Sequence, residues 1–406
     1  MRNFQASSAL ALLMATGAVP AGAQALSADE ASTTDAALRT ETLDRAEPLG
    51  GEVTVTARRR AEDAQRIPGS LSVVGGDLLD RSYTVNTQQL AQLVPALNYS
   101  SANPRNTAFT IRGLGSSVVA VSQANDGLEP GVGFYVDQVY HARPATAAFD
   151  FSDIAQVEVL RGPQGTLFGK NSTAGAINIT TRAPSFTPEA SQEFSVGSFN
   201  FVQARVAASG PLSGDTLAGR ISAVVTRRDG VIDNVNTGRA HNQIGNQAVR
   251  GQLLFKPSDA VQVKLSADFT NFQSNCCTQV FYRVAGRDVP RTATRQYGGP
   301  TGLAAQFGYA PPSTNPYDRL TDIDAPLGVD TNEGGVGGIV DWNLGGATLT
   351  SVTAWRFWNW DAANDRDYTG IPIQLEQHIP SRQDQYSQEL RLASNGDGPV
   401  SYVGGL

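Results

Sequence analysis

Residues 157–184 read VEVLRGPQGTLFGKNSTAGAINITTRAP. Residues 155–160 and 176–181 are rich in β-prone side chains and are expected as two strands. Between them Gly162, Gly165, Gly169 and Gly175 punctuate the chain, which suits tight turns because glycine adopts backbone conformations that strain other residues. A phosphate loop is the competing reading of Gly165 to Ser172. That motif needs four residues between its glycines and Ser or Thr directly after the lysine. Here three residues separate Gly165 from Gly169, and Asn171 follows Lys170, so a nucleotide site is not expected.

Outward from this block, residues 62–185 mix helical and strand patterns. Residues 71–74, 107–111 and 132–136 are expected as strands. Residues 87–94 are expected as a helix, with Leu90, Leu93 and Val94 on one face and Pro95 as its stop. After about residue 190 the texture changes to long alternating strands. In 261–270, Val261, Val263, Leu265, Ala267 and Phe269 alternate with Gln262, Lys264, Ser266, Asp268 and Thr270. Such alternation fits a soluble sandwich or a membrane barrel equally well. Strand length favours the barrel, because a crossing strand needs about 9–11 residues against a usual mode near 5–6. Trp355, Phe357, Trp358 and Trp360 suit an aromatic girdle at one membrane boundary. Residues 272–330 are polar, contain Pro and Gly, lack periodicity, and are expected as a long loop.

The 406 residues carry 17% charged side chains, a net charge of −7, 41 glycines and only 2 methionines. That balance points to strands and turns and away from a nucleic-acid partner. Arg2, the apolar run 9–19 and the small-x-small Ala21-Gly22-Ala23 make residues 1–23 a cleavable export signal. No run reaches the roughly 20 apolar residues of a transmembrane helix, so a membrane-bound form of the chain has to be a closed barrel. Residues 24–61 are expected as a flexible linker that includes EVTVTA (52–57), followed by Arg58, Arg59 and Arg60. Cys276 and Cys277 are adjacent; a disulfide between them and pairing with other partners both remain open. His141, His241 and His378 lie far apart, and neither HExxH nor GxSxG occurs. Catalytic residues, a metal site and an enzyme activity are therefore not expected.

Several segments together resemble the TonB-dependent receptors of the Gram-negative outer membrane. VEVLRGPQGTLFGKNSTAGAINITTRAP resembles the signature of that family's plug domain, FTIRGLG (109–115) and GVGFYVDQVY (131–140) resemble two further plug segments in the right order, and YSQELRLAS (386–394) resembles an early barrel strand. EVTVTA resembles the TonB box: Glu52, Val53, Thr54, Val55, Thr56 and Ala57. The resemblance implies an α+β plug domain at 62–185 followed, at 190–406, by the N-terminal part of an antiparallel transmembrane β-barrel. About nine strands are expected here, whereas a plugged transporter barrel has about 22, so the chain is expected to be a truncated form. It implies energised uptake of a scarce nutrient, a ferric siderophore before cobalamin, an oligosaccharide or an aromatic compound. Its partners would be TonB, outer-membrane lipid and a small-molecule or metal-chelate substrate, with no cofactor and with iron only as cargo. A passive porin, a signalling receptor and an adhesin are the readings from other classes; the first would lack both box and plug. The box is expected to be unpaired and free for strand addition to TonB. In YSQELRL, Tyr386, Leu390 and Leu392 alternate with Ser387, Glu389 and Arg391, which turns Glu389 to the lumen. Arg112 and Arg161, the counterparts of the family's plug arginines, are expected to pair with it as a latch between plug and barrel. The residues that bind substrate are not legible.

Overall fold

The structure is a computed structural model. It describes residues 53–56, 58–60, 62–101, 107–115, 129–143, 152–282, 302–365, 367–373, 378–396 and 399–406. The expected export signal, the linker up to residue 51, and Glu52 and Ala57 of the expected box lie outside the described residues.

The front of the chain is a mixed α/β unit. β1 (Thr54–Val55) and β2 (Glu62–Asp63) form a small antiparallel pair. Then follow β3 (Ser70–Gly75), α1 (Gly76–Arg81), α2 (Thr87–Leu93), β4 (Leu97–Ser101), β5 (Thr107–Ile111), β6 (Val132–Val136), β7 (Val139–Tyr140), β8 (Ile154–Arg161), α3 (Gly165–Phe168) and β9 (Gly175–Thr181). Helix α2 starts at Thr87, as expected, with Asn86 as its N-cap. The Asn86 side chain accepts the Gln89 N–H at 3.0 Å, and Gln89 Oε1 accepts the Val85 N–H at 2.8 Å, so two amides left free by the first turn are satisfied. Five strands join in the order β3-β8-β9-β6-β7, with β6 parallel to β9. Strand alternation then sorts the side chains. Val157, Val159, Ile177, Ile179, Val132 and Phe134 face a core completed by Leu79, Leu90, Leu97, Phe109 and Ile111. Leu160, Ala176 and Tyr135 belong to a second apolar cluster, with Val55 and Phe168. A Cβ on Gly175 would come within 2.2 Å of the Leu160 carbonyl and 2.7 Å of the Ile111 side chain. This glycine thus lets strands pack inside the unit rather than against a wall.

Behind the plug unit lies a nine-stranded antiparallel sheet. Its strands are β10 (Glu189–Gly197), β11 (Phe201–Ser213), β12 (Leu217–Arg228), β15 (Ile244–Ser258), β16 (Val261–Ser274), β18 (Gly328–Asn343), β19 (Ala347–Ala363), β20 (Ser381–Ser394) and β21 (Val403–Gly405), hydrogen-bonded in that order. The excursions β13 (Ile232–Asn234), β14 (Ala240–His241) and β17 (Leu320–Thr321) make a separate three-stranded sheet. From β12 at 12 residues to β19 at 17, these strands exceed the about 9–11 residues of a minimal crossing. The turns at 214–216, 259–260 and 344–346 are short, whereas the connections at the other end, 229–243, 275–327 and 364–380, are long.

One face of the sheet is apolar and exposed: Ile221, Leu253, Leu265, Val336 and Leu390 are each at least 40% accessible. The other face carries Arg220, Gln252, Lys264, Glu389 and Arg391, which meet the plug unit or the segment leading into it. Polar side chains inward and apolar ones outward are the pattern of a membrane barrel wall. On the inward face Arg356 reaches Asp268 at 2.6 Å, two strands away. Gly335 lies between them, where a Cβ would come within 2.9 Å of the Arg356 chain. The expected aromatic girdle divides. Trp355 and Phe357 occupy one face, while Trp358 and Trp360 are buried on the other and stack with centroids 6.0 Å apart. Four residues of mixed parity cannot share one side of a strand whose side-chain period is two.

The main core cluster lies wholly within residues 74–179, so 62–185 expressed alone should fold with mixed α/β circular dichroism. In that domain Ile177→Ala should lower the unfolding free energy by about 2–5 kcal/mol, read from urea denaturation. An unchanged midpoint would contradict the assigned core.

Candidate functional site

Two places combine buried polar chemistry with a position at one end of the sheet. The first is the seat of the 53–56 segment. Glu158 is fully buried in β8, between two core valines. A carboxylate there needs donors, and the segment supplies two. The Thr56 N–H donates to Glu158 Oε1 at 2.9 Å and the Thr56 hydroxyl approaches it at 3.2 Å. Gln156 Nε2 donates to the same oxygen at 2.8 Å and to the Thr54 carbonyl at 3.2 Å, while Asn178 reaches both Thr56 Oγ1 and Glu158 Oε2. Burial holds the Glu158 carboxyl above its ordinary range even against these bonds. Val55 is fully buried among Tyr135, Leu160, Phe168 and Ala176. The expectation that residues 53–56 are unpaired is therefore corrected. They are paired to 62–63 and packed onto the plug sheet, because its second face is apolar apart from the carboxylate and amide that this backbone satisfies.

Arg59 closes the seat. Its guanidinium lies 4.3 Å from the Phe168 ring centroid and 5.1 Å from that of Tyr135, donates to the Leu167 carbonyl at 3.2 Å, and stands 3.7 Å from Glu389. Arg60 reaches Ser394 and Gly396 beside the 395–402 turn. The seat thus lies at the short-turn end of the sheet.

The expected latch is also corrected. Glu389 does face inward, but its partners are Arg391 at 2.5 Å and Arg59. Arg112 donates to Ser70 and Arg161 to the Leu71 carbonyl, both inside the plug. Plug and wall are joined with the opposite polarity. Asp153 of the plug receives both Nε, at 2.6 Å, and Nη2 of the wall's Arg220, with each side chain only 5–6% accessible. Asp137 lies 3.1 Å from Lys264. Burial raises the Asp137 carboxyl, but Lys264, Arg250 and the bonds from Thr181 outweigh it and leave the group below its ordinary value. Arginine suits the Asp153 contact because its planar fork binds a carboxylate through two parallel bonds.

The second place is a cleft of about 1300 Å³ at the long-loop end. Tyr83, Gln88 and Tyr99 of the plug face Arg228, Phe272 and Glu333 of the wall across it. The Trp358–Trp360 pair and Cys276–Cys277 also line it, and the two cysteines are joined as a disulfide with S–S 2.12 Å. His141 lies deeper, and burial, with the charges of Arg356 and Arg250, holds its imidazole well below its ordinary value. Of the sequence-derived candidates, the structure brings the described box residues together with Arg59 and Glu389, and leaves Arg112 and Arg161 elsewhere.

Breaking a buried pair costs about 3–5 kcal/mol when it strands a charge; Arg220 keeps a second partner in Glu189, which lowers that cost but leaves the plug without its bidentate anchor. Asp153→Asn should accordingly speed native-state amide exchange in β8 and β9 by about tenfold while leaving the wall strands unchanged. Glu389→Gln, at a site one-third accessible, should have a smaller effect. Equal exchange in wild type and Asp153→Asn would contradict this assignment of the latch.

Residues 63–176 match the family model of the TonB-dependent Receptor Plug Domain. The pesticin receptor of Yersinia pestis is 27% identical over 358 residues, an alignment covering 87% of this chain and 47% of the receptor. Among solved structures, the ferric yersiniabactin uptake receptor FyuA from Yersinia pestis superposes with a TM-score of 0.67 at 22% identity, covering 83% of this chain and 47% of that one. The pyoverdine outer membrane receptor FpvA from Pseudomonas aeruginosa PAO1 gives 0.63 at 16% identity, covering 88% and 49%. The chain spans about half the length, 47%, of that curated relative. These relatives are transport receptors by name. With its plug at the front and a sheet of barrel strands behind it, the chain is a TonB-dependent receptor-like protein.

Proposed function

We propose that this chain supplies the plug and the first part of the barrel of an outer-membrane importer that takes up a ferric siderophore and draws its energy through TonB. The observation that carries the reading is the placement of two sites on opposite ends of one plug. Residues 53–56 are seated at the short-turn end, and a large cleft lined by aromatic and charged side chains opens at the long-loop end. In outer-membrane barrels short turns face the periplasm and long loops the exterior. The cleft then meets substrate outside, and the box meets TonB inside.

Iron complexes come first among substrates because relatives of this chain are named as receptors for ferric yersiniabactin and pyoverdine. The cleft chemistry supports a bulky ligand with aromatic and charged groups: Tyr83, Tyr99 and Phe272 offer ring faces, and Arg228 and Glu333 offer charge. Iron enters as cargo held by its chelator, and the protein needs no resident cofactor for this task. A passive porin has no use for a plug that fills the wall's inward face. The outward apolar face belongs in lipid, and the chain reaches it by export.

In this reading the box works by strand addition, with Val53 and Val55 alternating with Thr54 and Thr56 along the added strand. The backbone must first leave β2 and the Glu158 carboxylate. Val55→Pro removes a ladder donor and bends the strand. In the membrane-inserted receptor it should abolish growth on the ferric siderophore under iron limitation while surface binding of that chelate stays within about twofold. Normal growth of the variant would rule out strand addition at this segment. Failure of every tested ferric siderophore to bind the wild type would instead rule out the substrate class.

A further inference from the structure

The wall side of the long-loop cleft is built around a pair of sulfur atoms. At the end of β16 and just beyond it, residues 274–278 are clamped to residues 240–243 by side-chain hydrogen bonds. The Gln243 N–H donates to Asn275 Oδ1 at 2.9 Å, and Asn275 Nδ2 donates to the Ala240 carbonyl at 2.8 Å. Asn242 exchanges bonds with Thr278, accepting its N–H at 2.9 Å and donating to its carbonyl at 3.0 Å. The Cys276–Cys277 disulfide lies inside this clamp. A segment bound on either side of its disulfide has little freedom left to lose, so the sulfurs are in place before a ligand arrives.

Rings stand beside the sulfurs. Cys276 and Cys277 pack with Phe272, Trp358 and Trp360 in one apolar cluster, and all five line the cleft. Sulfur and ring faces are polarisable, and flat aromatic groups pack well on them. The same cleft holds donors with nothing to donate to. Trp360 is 3% accessible, yet its indole N–H has no hydrogen-bond partner among the described residues. Thr331, its cross-strand neighbour on β18, also lines the cleft and has an unpartnered hydroxyl. Arg228 Nη2 donates to the Asn242 carbonyl at 3.0 Å, but its Nε is without a partner. A buried indole N–H ordinarily finds an acceptor. What would complete this wall is an acceptor oxygen, best an anionic one, carried on a flat apolar body.

We propose that the Cys276–Cys277 disulfide, with Trp358 and Trp360, is a specificity-determining shelf for an aromatic ring that bears an anionic oxygen, a catecholate or phenolate of the ferric chelate. The inference rests on the siderophore reading above and narrows its substrate class. The ring packs on the sulfurs and the indoles, its oxygen accepts from Trp360 and Thr331, and Arg228 balances the charge. A hydroxamate brings oxygens without the ring and gains nothing from the shelf.

The test measures binding of iron-labelled chelates to the full chain in detergent by equilibrium dialysis. Ferric enterobactin supplies catecholates, ferric yersiniabactin a phenolate, and ferrichrome hydroxamates. The wild type should bind at least one of the first two about tenfold or more tighter than ferrichrome. Trp360→Phe keeps a ring and removes the N–H, and should weaken binding of that chelate about tenfold. Reducing the disulfide with dithiothreitol should weaken it in the same direction, reversibly on reoxidation, and so should Cys276→Ala combined with Cys277→Ala. The reductant should have no effect on that double variant, and ferrichrome affinity should stay within about twofold throughout. An equal loss for every chelate would make the disulfide a structural staple and overturn the proposal. Wild-type affinity for ferrichrome equal to that for the ring-bearing chelates would overturn it too. Both results leave the siderophore reading standing, whereas failure of the wild type to bind any of the chelates overturns both.

Discussion

A charged group in a sheet covered on both faces must be given hydrogen-bond donors, and Glu158 is such a group. Its flanking valines commit β8 to the plug core, which turns the carboxylate to the opposite face. Neighbouring side chains there, Gln156 and Asn178, satisfy part of its demand. The remainder is met by the Thr56 backbone and hydroxyl. Residues 53–56 are thus a structural part of the plug. Each hydrogen bond to a charged group contributes about 1.5–3 kcal/mol, so the docked segment is held firmly.

The same logic governs how the plug sits against the wall. The inward face of the sheet is polar, as a barrel lumen must be, and two plug carboxylates, Asp153 and Asp137, meet cations on it. The bidentate contact on β12 and the Arg59–Glu389 contact on β20 both lie towards the short turns, but on strands far apart in the sheet order, which gives the plug two separate supports. Arg59 belongs to both the seat and the wall, since it stacks on Phe168 and pairs with Glu389. Arg59 thereby links Glu389 of the wall to the seat of residues 53–56.

Much of the fold was legible because its signals are periodic. The strands at 107–111 and 132–136 fall where expected, the helix before Pro95 starts at Thr87 as its face pattern implies, and the alternation of 261–270 correctly assigns outward Leu265 and inward Lys264. The inward direction of Glu389 was legible for the same reason. Its partners were not, because alternation fixes a face and says nothing of what lies across a lumen. Arg112 and Arg161 are spent on Ser70 and Leu71 within the plug. The seat itself left a signal that a closer reading finds, namely a lone glutamate between valines in a strand otherwise fit for a core. The aromatic run at 355–360 misled because residues of both parities were assigned to one side.

The central claim is that Glu158 holds residues 53–56 on the plug and that losing this hold frees them. A nitroxide attached at residue 54, whose side chain is exposed in the docked arrangement, reports this directly by electron paramagnetic resonance. The account predicts a broad, immobilised spectrum in the otherwise unaltered chain and a narrow, mobile one when Glu158→Ala is added, with the plug core still folded. Sharp mobile lines in both proteins, or an immobilised spectrum that survives the loss of Glu158, would contradict it.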